Sequence, residues 1–326
     1  MKIHYTLDDS AARLPLTMRS ADALWDRGAD LRSAPGVQLV ELTTQHMLNI
    51  GTTLSDELAD YFDSGTPSEA DPYALKTCFA NRSALEDLLE DLRDTQPGLV
   101  ALHQVAELFP ITFDYDLQFM LALTVVGYPA FGYVRTYQDS EDEEYNGLVV
   151  NLAQARPHLE STLGHYSLEL LINVIRNGFF NHEGFLLAYA EYSQAIGRLL
   201  ERPLDRLKDA LMSRGIAWHL SYRHDRAFYD GVLGLDDEQL AASVERCNAA
   251  LAAARKKKVT EETVEDRHGV IPREQSLDVA GYHAARTIAG TYGDQGLRDA
   301  IAQGADHFFT LYNTAAGPLA IKAAAR

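Results

Sequence analysis

Four polar side chains recur at steps of four along one stretch of the chain: His165, Glu169, Asn173 and Asn177. Between them lie Leu168, Leu171, Ile172 and Ile175, so a helix here carries one polar stripe flanked by aliphatic residues. Asparagine is a poor helix former and is costly to bury unpaired. Such a stripe either faces solvent and neighbouring backbone or lines a pocket. An imidazole and a carboxylate one turn apart could serve as acid and base, and the two amides could hold a ligand. Further on, Arg214 and His219 lie in ALMSRGIAWHL, and Tyr282 and His283 lie in AGYHAAR. The last two keep acid/base capability without a metal.

Two segments, NVIRNGF and SRGIAWHL, resemble the paired motifs of zincin-fold metallopeptidases, specifically the gluzincin-like group of bacterial zinc peptidases. That family carries HExxH on one long helix, often followed by Gly-Phe, and an EGIA-like segment on a second helix. The strand-like LVVNLA upstream, and GYHAARTIAGTYGDQGLRDAI and FFTLYN downstream, are similar to the family's order over roughly residues 117–313. The resemblance places the first zinc histidine on Asn173, the general base on Val174, the second histidine on Asn177 and the third ligand on Arg214. None of these residues can do the family's work. A neutral amide is a feeble zinc ligand, arginine does not ligate, and valine takes no proton from water. The segment holding Tyr282 and His283 lies, by the same resemblance, beside the active site.

A guanidinium held inside a fold needs a partner. Either an acidic side chain such as Glu169 or Glu183 satisfies Arg214, or an anionic group of a bound molecule does. A second register sets HYSLE (165–169) on HExxH. His165, Glu169 and Glu183 could then hold a metal, but the base is lost to Tyr166 and the second histidine to Glu169. More simply, Asn181 caps a helix and Glu183 lies in its first turn. His219, His224 and Asp225 match no standard ligand spacing.

The elements that would position these residues can be read from periodicity. A helical portion over 1–114 includes the amphipathic LTTQHMLNIGTTLSDELADYF and SALEDLLEDLRD. Three strands follow in LQFMLALTVVGY, AFGYVRTY and YNGLVVNLA. HLESTLGHYSLELLINVIRNGFF then reads as one long helix and HEGFLLAYAEYSQAIGRLLE as a second. PLDRLKDALMSRGIAWHLSYR opens with proline at a helix start, and the glycines of AGTYGDQG end one helix and begin another. The expected architecture is a helix-dominated α+β protein of zincin-like fold, with a helical portion at 1–114 and a zincin-like domain at 115–326.

Bulk properties narrow the classes. Asp and Glu total 47 against 29 Lys and Arg, a net charge of −18, which disfavours phosphate backbones and hence nucleic acid. Cys78 and Cys247, without CxxC spacing, exclude a disulfide framework. Acidic residues in MKIHYTLDDSAARLPL and the lack of a long apolar run point to a cytoplasmic protein without a membrane partner. No Walker loop, GxSxG elbow or GxGxxG is present, and no cofactor is expected. Three functions remain open. One is a relic without zinc hydrolysis that binds, or binds and converts, an anionic small molecule or peptide through Asn173, Asn177, Arg214 and His219. Another is a metal-free cyclase- or lyase-type enzyme of a specialised pathway that uses Tyr282, His283, His165 and Glu169. The third is a pseudoenzyme acting through a protein partner.

Overall fold

The computed structural model of the chain describes residues 1–138, 144–223, 237–256, 276–316 and 319–322. His224 and Asp225 lie outside the described residues. The architecture is helix-dominated with one small mixed sheet. Two compact units interleave along the chain. The sheet-bearing unit comprises Ile3–Leu99 and Leu117–Ile175; the helical unit comprises Met1–Lys2, Val100–Asp116 and Arg176–Arg326. This partition crosses the chain several times and has no single boundary near residue 114.

In the sheet-bearing unit the strands are β1 (Lys2–Asp8), β2 (Asp116–Thr124), β3 (Gly132–Gln138) and β4 (Glu144–Asn151), in the order β1-β2-β4-β3. β2 and β4 run parallel, with Leu121 opposite Leu148 and Leu123 opposite Val150, while β3 returns antiparallel to β4. Helix periodicity does not reveal β1, along which exposed and half-buried residues alternate from Lys2 to Leu7. The helices α1 (Ser10–Thr17), α2 (Ala21–Ser33), α3 (Pro35–Leu48), α4 (Leu54–Ser64), α5 (Leu75–Ala80), α6 (Arg82–Thr95) and α7 (Pro97–Ala106) fill the early chain. The amphipathic stretch 42–62 is split at Asn49, which caps α3 in the left-handed conformation (φ 53°), before Thr53 opens α4 with a capping box.

β4 feeds straight into α8 (Leu152–Leu163), whose N-cap Asn151 accepts a hydrogen bond from the Ala153 amide at 3.1 Å. The expected single helix over 158–180 is broken here. Gly164 takes φ 75° and terminates α8. Ser167 then caps α9 (Leu168–Asn173), accepting from the Leu170 amide at 3.1 Å. From Val174 to Asn181 the backbone widens into a π-helical stretch, which passes directly into α10 (His182–Ala195). Asn181 has helical dihedrals and makes no capping bond, so it lies inside a continuous run and not at a helix start.

The rest of the helical unit is α11 (Pro203–Tyr222), α12 (Asp237–Arg255), α13 (Ser276–Gln303) and α14 (Ala305–Ala315). Pro203 stands at the first turn of α11, as its fixed φ favours. The glycine break in AGTYGDQG appears as a kink at Gly293 (φ 64°) inside α13. The core of this unit joins Phe109, Phe113, Phe185, Tyr189, Ile216, Ile288, Phe308 and Tyr312. No helix among the described residues is long and apolar enough to cross a membrane.

Candidate functional site in the helical unit

α11 and α13 approach each other through glycine. A Cβ added to Gly215 would stand 2.3 Å from the carbonyl carbon and oxygen of Gly281, and one added to Gly281 would stand 2.4 Å from the Leu211 carbonyl oxygen. Only hydrogen side chains allow this backbone contact. On each side of it the helices carry the residues singled out above. Arg214 precedes Gly215, and Tyr282 follows Gly281.

Arg214 donates from Nη2 to Asp278 Oδ2 at 2.6 Å, with side-chain exposures of 25% and 9%. Asp278 lies one turn before Tyr282 on α13. The carboxylate that meets the guanidinium is therefore neither Glu169 nor Glu183. It comes from 64 residues away, through the α11–α13 crossing.

One turn beyond Arg214, Trp218 joins Tyr222 and Tyr282 in a small buried cluster. The Trp218 and Tyr222 rings stack at 5.7 Å and 11°. Burial, and secondarily the neighbouring Tyr282, push the Tyr222 hydroxyl well above the ordinary phenol range. Tyr282 and His283 part company: Tyr282 faces the aromatic cluster, while His283 meets Tyr312 of α14 edge-on at 5.7 Å. Neighbours on a helix project about 100° apart, so one acid/base pair cannot use both. Burial, reinforced by Arg286, lowers the affinity of His283 for a proton.

The π-helical stretch lies against the same part of α11. Asn181 donates from Nδ2 to Asn177 Oδ1 at 3.2 Å and to the Leu220 carbonyl at 3.4 Å. Asn177 is 9% exposed and Asn181 fully buried. His182, also 9% exposed, places its ring 4.4 Å from that of Trp218 and its Nδ1 3.0 Å from Glu183 Oε1. Among the described residues, the buried atoms Asn181 Oδ1 and His182 Nε2 have no hydrogen-bond partner. Buried polar groups are paired in the great majority of cases, and Ser55 Oγ and Gln104 Oε1 are further exceptions among the described residues. π-helical turns inside α-helices concentrate at functional sites.

Asn181 and His182 were not among the residues expected from the sequence. Their signal was present in the third step of the series Asn173, Asn177, Asn181, which a helix-cap reading of Asn181 conceals. The residues that were expected divide between the units. His165, Glu169 and Asn173 belong to the sheet-bearing unit. His165 is exposed in the turn after Gly164, with Nδ1 3.1 Å from the Leu163 carbonyl, and so is not on the helix. Glu169 is exposed in the first turn of α9, and Asn173 is half-buried at its end. Asn177, Arg214, His219, Tyr282 and His283 belong to the helical unit, and His219 is buried one position after Trp218. Among the described residues, no group of three or more His, Cys, Asp or Glu side chains is placed to hold a metal ion.

No family model, curated protein or solved structure matches the chain.

Proposed function

We propose that the chain is a zincin-like protein whose zinc chemistry has been dismantled and whose helical unit binds, or binds and converts, an anionic small molecule or peptide. The observation that carries the loss of zinc chemistry is the Arg214–Asp278 pair at 2.6 Å, which meets the guanidinium from within the chain. A permanent cation with its own counter-ion stands where the resemblance puts the third zinc ligand, and Val174 stands where it puts the base. The mixed sheet with an antiparallel strand beside β4, followed by a helical run from Leu168 to Ala195, supports the zincin-like reading.

An anionic head group on the ligand competes with Asp278 for the guanidinium, whose planar array of donors serves more than one acceptor. The test uses inorganic phosphate and acetate. The Asp278→Asn variant binds them more tightly than the wild type, and equal affinity in both proteins removes the anionic reading.

The zincin-like register has a separate test. Restoring Asn177→His and Arg214→Glu, both in the helical unit, with Asp278→Asn to remove repulsion, should create a site for one zinc ion. A folded variant that gains no zinc by elemental analysis shows that the register is wrong.

A second reading, a metal-free enzyme of lyase or cyclase type, is favoured by the His182–Glu183 contact. A carboxylate on Nδ1 orients an imidazole, the arrangement that general-base histidines use. Tyr282 in the adjoining aromatic cluster supplies the acid. His182 thereby takes the place that His283 and the exposed His165 were expected to share.

A further inference from the structure

We infer that α12 and α14 form a receptor groove for an extended peptide with an aliphatic anchor, and that residues 319–322 of the chain fill it as a resident ligand. Its residues lie on α12 and α14, not at the α11–α13 crossing, so the site stands or falls independently of the reading above.

The groove is defined by how it holds those four residues. Asn313 of α14 donates from Nδ2 to the Ile321 carbonyl and accepts from the Ile321 amide, both at 2.8 Å. Asn248 of α12 donates to the Ala320 carbonyl at 3.3 Å and accepts from the Lys322 amide at 2.6 Å. In an extended chain the N–H and C=O of one residue point to one side, and the flanking C=O and N–H point to the other. The two asparagines therefore stand where the two neighbouring strands of a sheet would stand. Tyr312 adds a bond to the Leu319 carbonyl at 2.7 Å, and Arg255 one to the Lys322 carbonyl at 2.6 Å. All of these bonds go to main chain, which peptides of any sequence without proline offer.

One side chain is selected as well. Ile321 is fully buried and joins the core cluster with Val244, Leu251 and Tyr312, while Lys322 is exposed. Main-chain hydrogen bonds for affinity and a pocket for selection are the means by which strand-accepting domains recognise peptides. The chain has a net charge of −18, and residues 319–322 contribute a lysine and no acid. The partner is accordingly a basic, extended segment of another protein with Ile, Val or Leu at the anchor position. It enters when residues 319–322 are displaced, and while they are bound the site is closed to it.

The test uses the full chain and the peptide acetyl-Leu-Ala-Ile-Lys-amide. Ile321→Asp puts a charge on the anchor and should release the resident segment. In ¹⁵N-labelled protein the side-chain NH₂ resonances of Asn248 and Asn313 report occupancy. In the variant they should leave their wild-type positions, and the peptide should restore them saturably. Half-saturation of the wild type should need about tenfold more peptide or beyond, because the resident segment competes.

N-methylation of the peptide isoleucine removes the N–H that Asn313 accepts and should weaken binding about tenfold. A valine at the anchor position of the peptide should retain binding, and an aspartate there should abolish it. Should Ile321→Asp not fold, Lys322→Pro takes its place, since it removes only the N–H bound by Asn248.

Four results overturn the inference. No saturable response in the released protein removes the site. Equal binding of the aspartate peptide shows a surface contact outside the groove. Hydrogen exchange of the Ile321 and Lys322 amides at the rate of global unfolding makes the segment a fixed part of the core. Wild-type dimers that form on concentration and dissolve in excess peptide assign the groove to residues 319–322 of a second copy.

Discussion

Gly215 and Gly281 touch backbone to backbone, with no room for a methyl group on either. This contact brings Asp278 to Arg214 and Tyr282 to Trp218 and Tyr222. Gly215→Ala and Gly281→Ala should each lower stability by about 1–3 kcal/mol, the usual cost of overpacking, and both should alter Trp218 fluorescence. Gly290 on α13 has nothing within 4 Å of an added Cβ. Gly290→Ala should therefore raise stability by about 0.5–1 kcal/mol from helix propensity alone. Urea midpoints of the three variants measure the contrast.

Asp278→Asn removes the carboxylate that meets the Arg214 guanidinium and should cost about 1–3 kcal/mol. The value lies below that of a fully buried pair because Arg214 keeps a quarter of its side-chain surface. Arg214→Met combined with Asp278→Leu should recover much of the loss. A double-mutant cycle from denaturant unfolding reads the coupling directly, and coupling near zero would show that the pair holds nothing together.

His283 binds a proton less readily when folded than when unfolded, because burial and Arg286 disfavour its charge. As pH falls through the ordinary histidine value, about 6.5, the unfolded chain takes up the proton first, so stability falls. Above that pH the contribution is constant. His283→Phe should flatten the stability profile between about pH 7 and pH 5. An unchanged slope would assign the dependence to other groups.

Tyr189 donates to Asp209, and Arg198 donates to the Tyr189 hydroxyl at 2.6 Å and to the Ile301 carbonyl at 2.9 Å. Burial raises the Asp209 carboxyl above its usual range, while Tyr189 and Arg198 oppose the shift. An acid raised in the folded state contributes most below its unfolded value and loses that contribution as pH rises through the folded value. Arg198→Met removes the opposing cation and so extends the loss to higher pH. The variant should lose more stability than the wild type between about pH 5 and pH 8, as urea midpoints at the two ends would show.

Much of the architecture can be read from local chemistry. Pro203 starts a helix, the glycines near 293 break one, and the strands around Leu121 and Val149 are dense in β-formers. Gly164 was visible too, yet the continuous helical spacing on either side of it hid a left-handed cap. The site was less legible because its defining contacts are distant in sequence. Asp278 reaches Arg214 across 64 positions, and the Leu220 carbonyl that orients Asn181 is 39 positions away. No periodicity reports a backbone acceptor on another helix. The π-helical widening at 174–181 is likewise invisible to a wheel drawn at α-helical spacing.

The interleaving of the two units sets an order for synthesis. The sheet-bearing unit is complete once Ile175 has been made, before most of the helical unit exists. Phe109 and Phe113, which belong to the helical unit, pack on Phe185 and Tyr192. These two phenylalanines must wait for about 80 further residues, roughly 4–16 s at ordinary rates of translation. During that interval the nascent chain carries an apolar segment flanked on both sides by sequence of the sheet-bearing unit. That segment is where a chaperone would act on this protein, and where slowed translation would do the most harm.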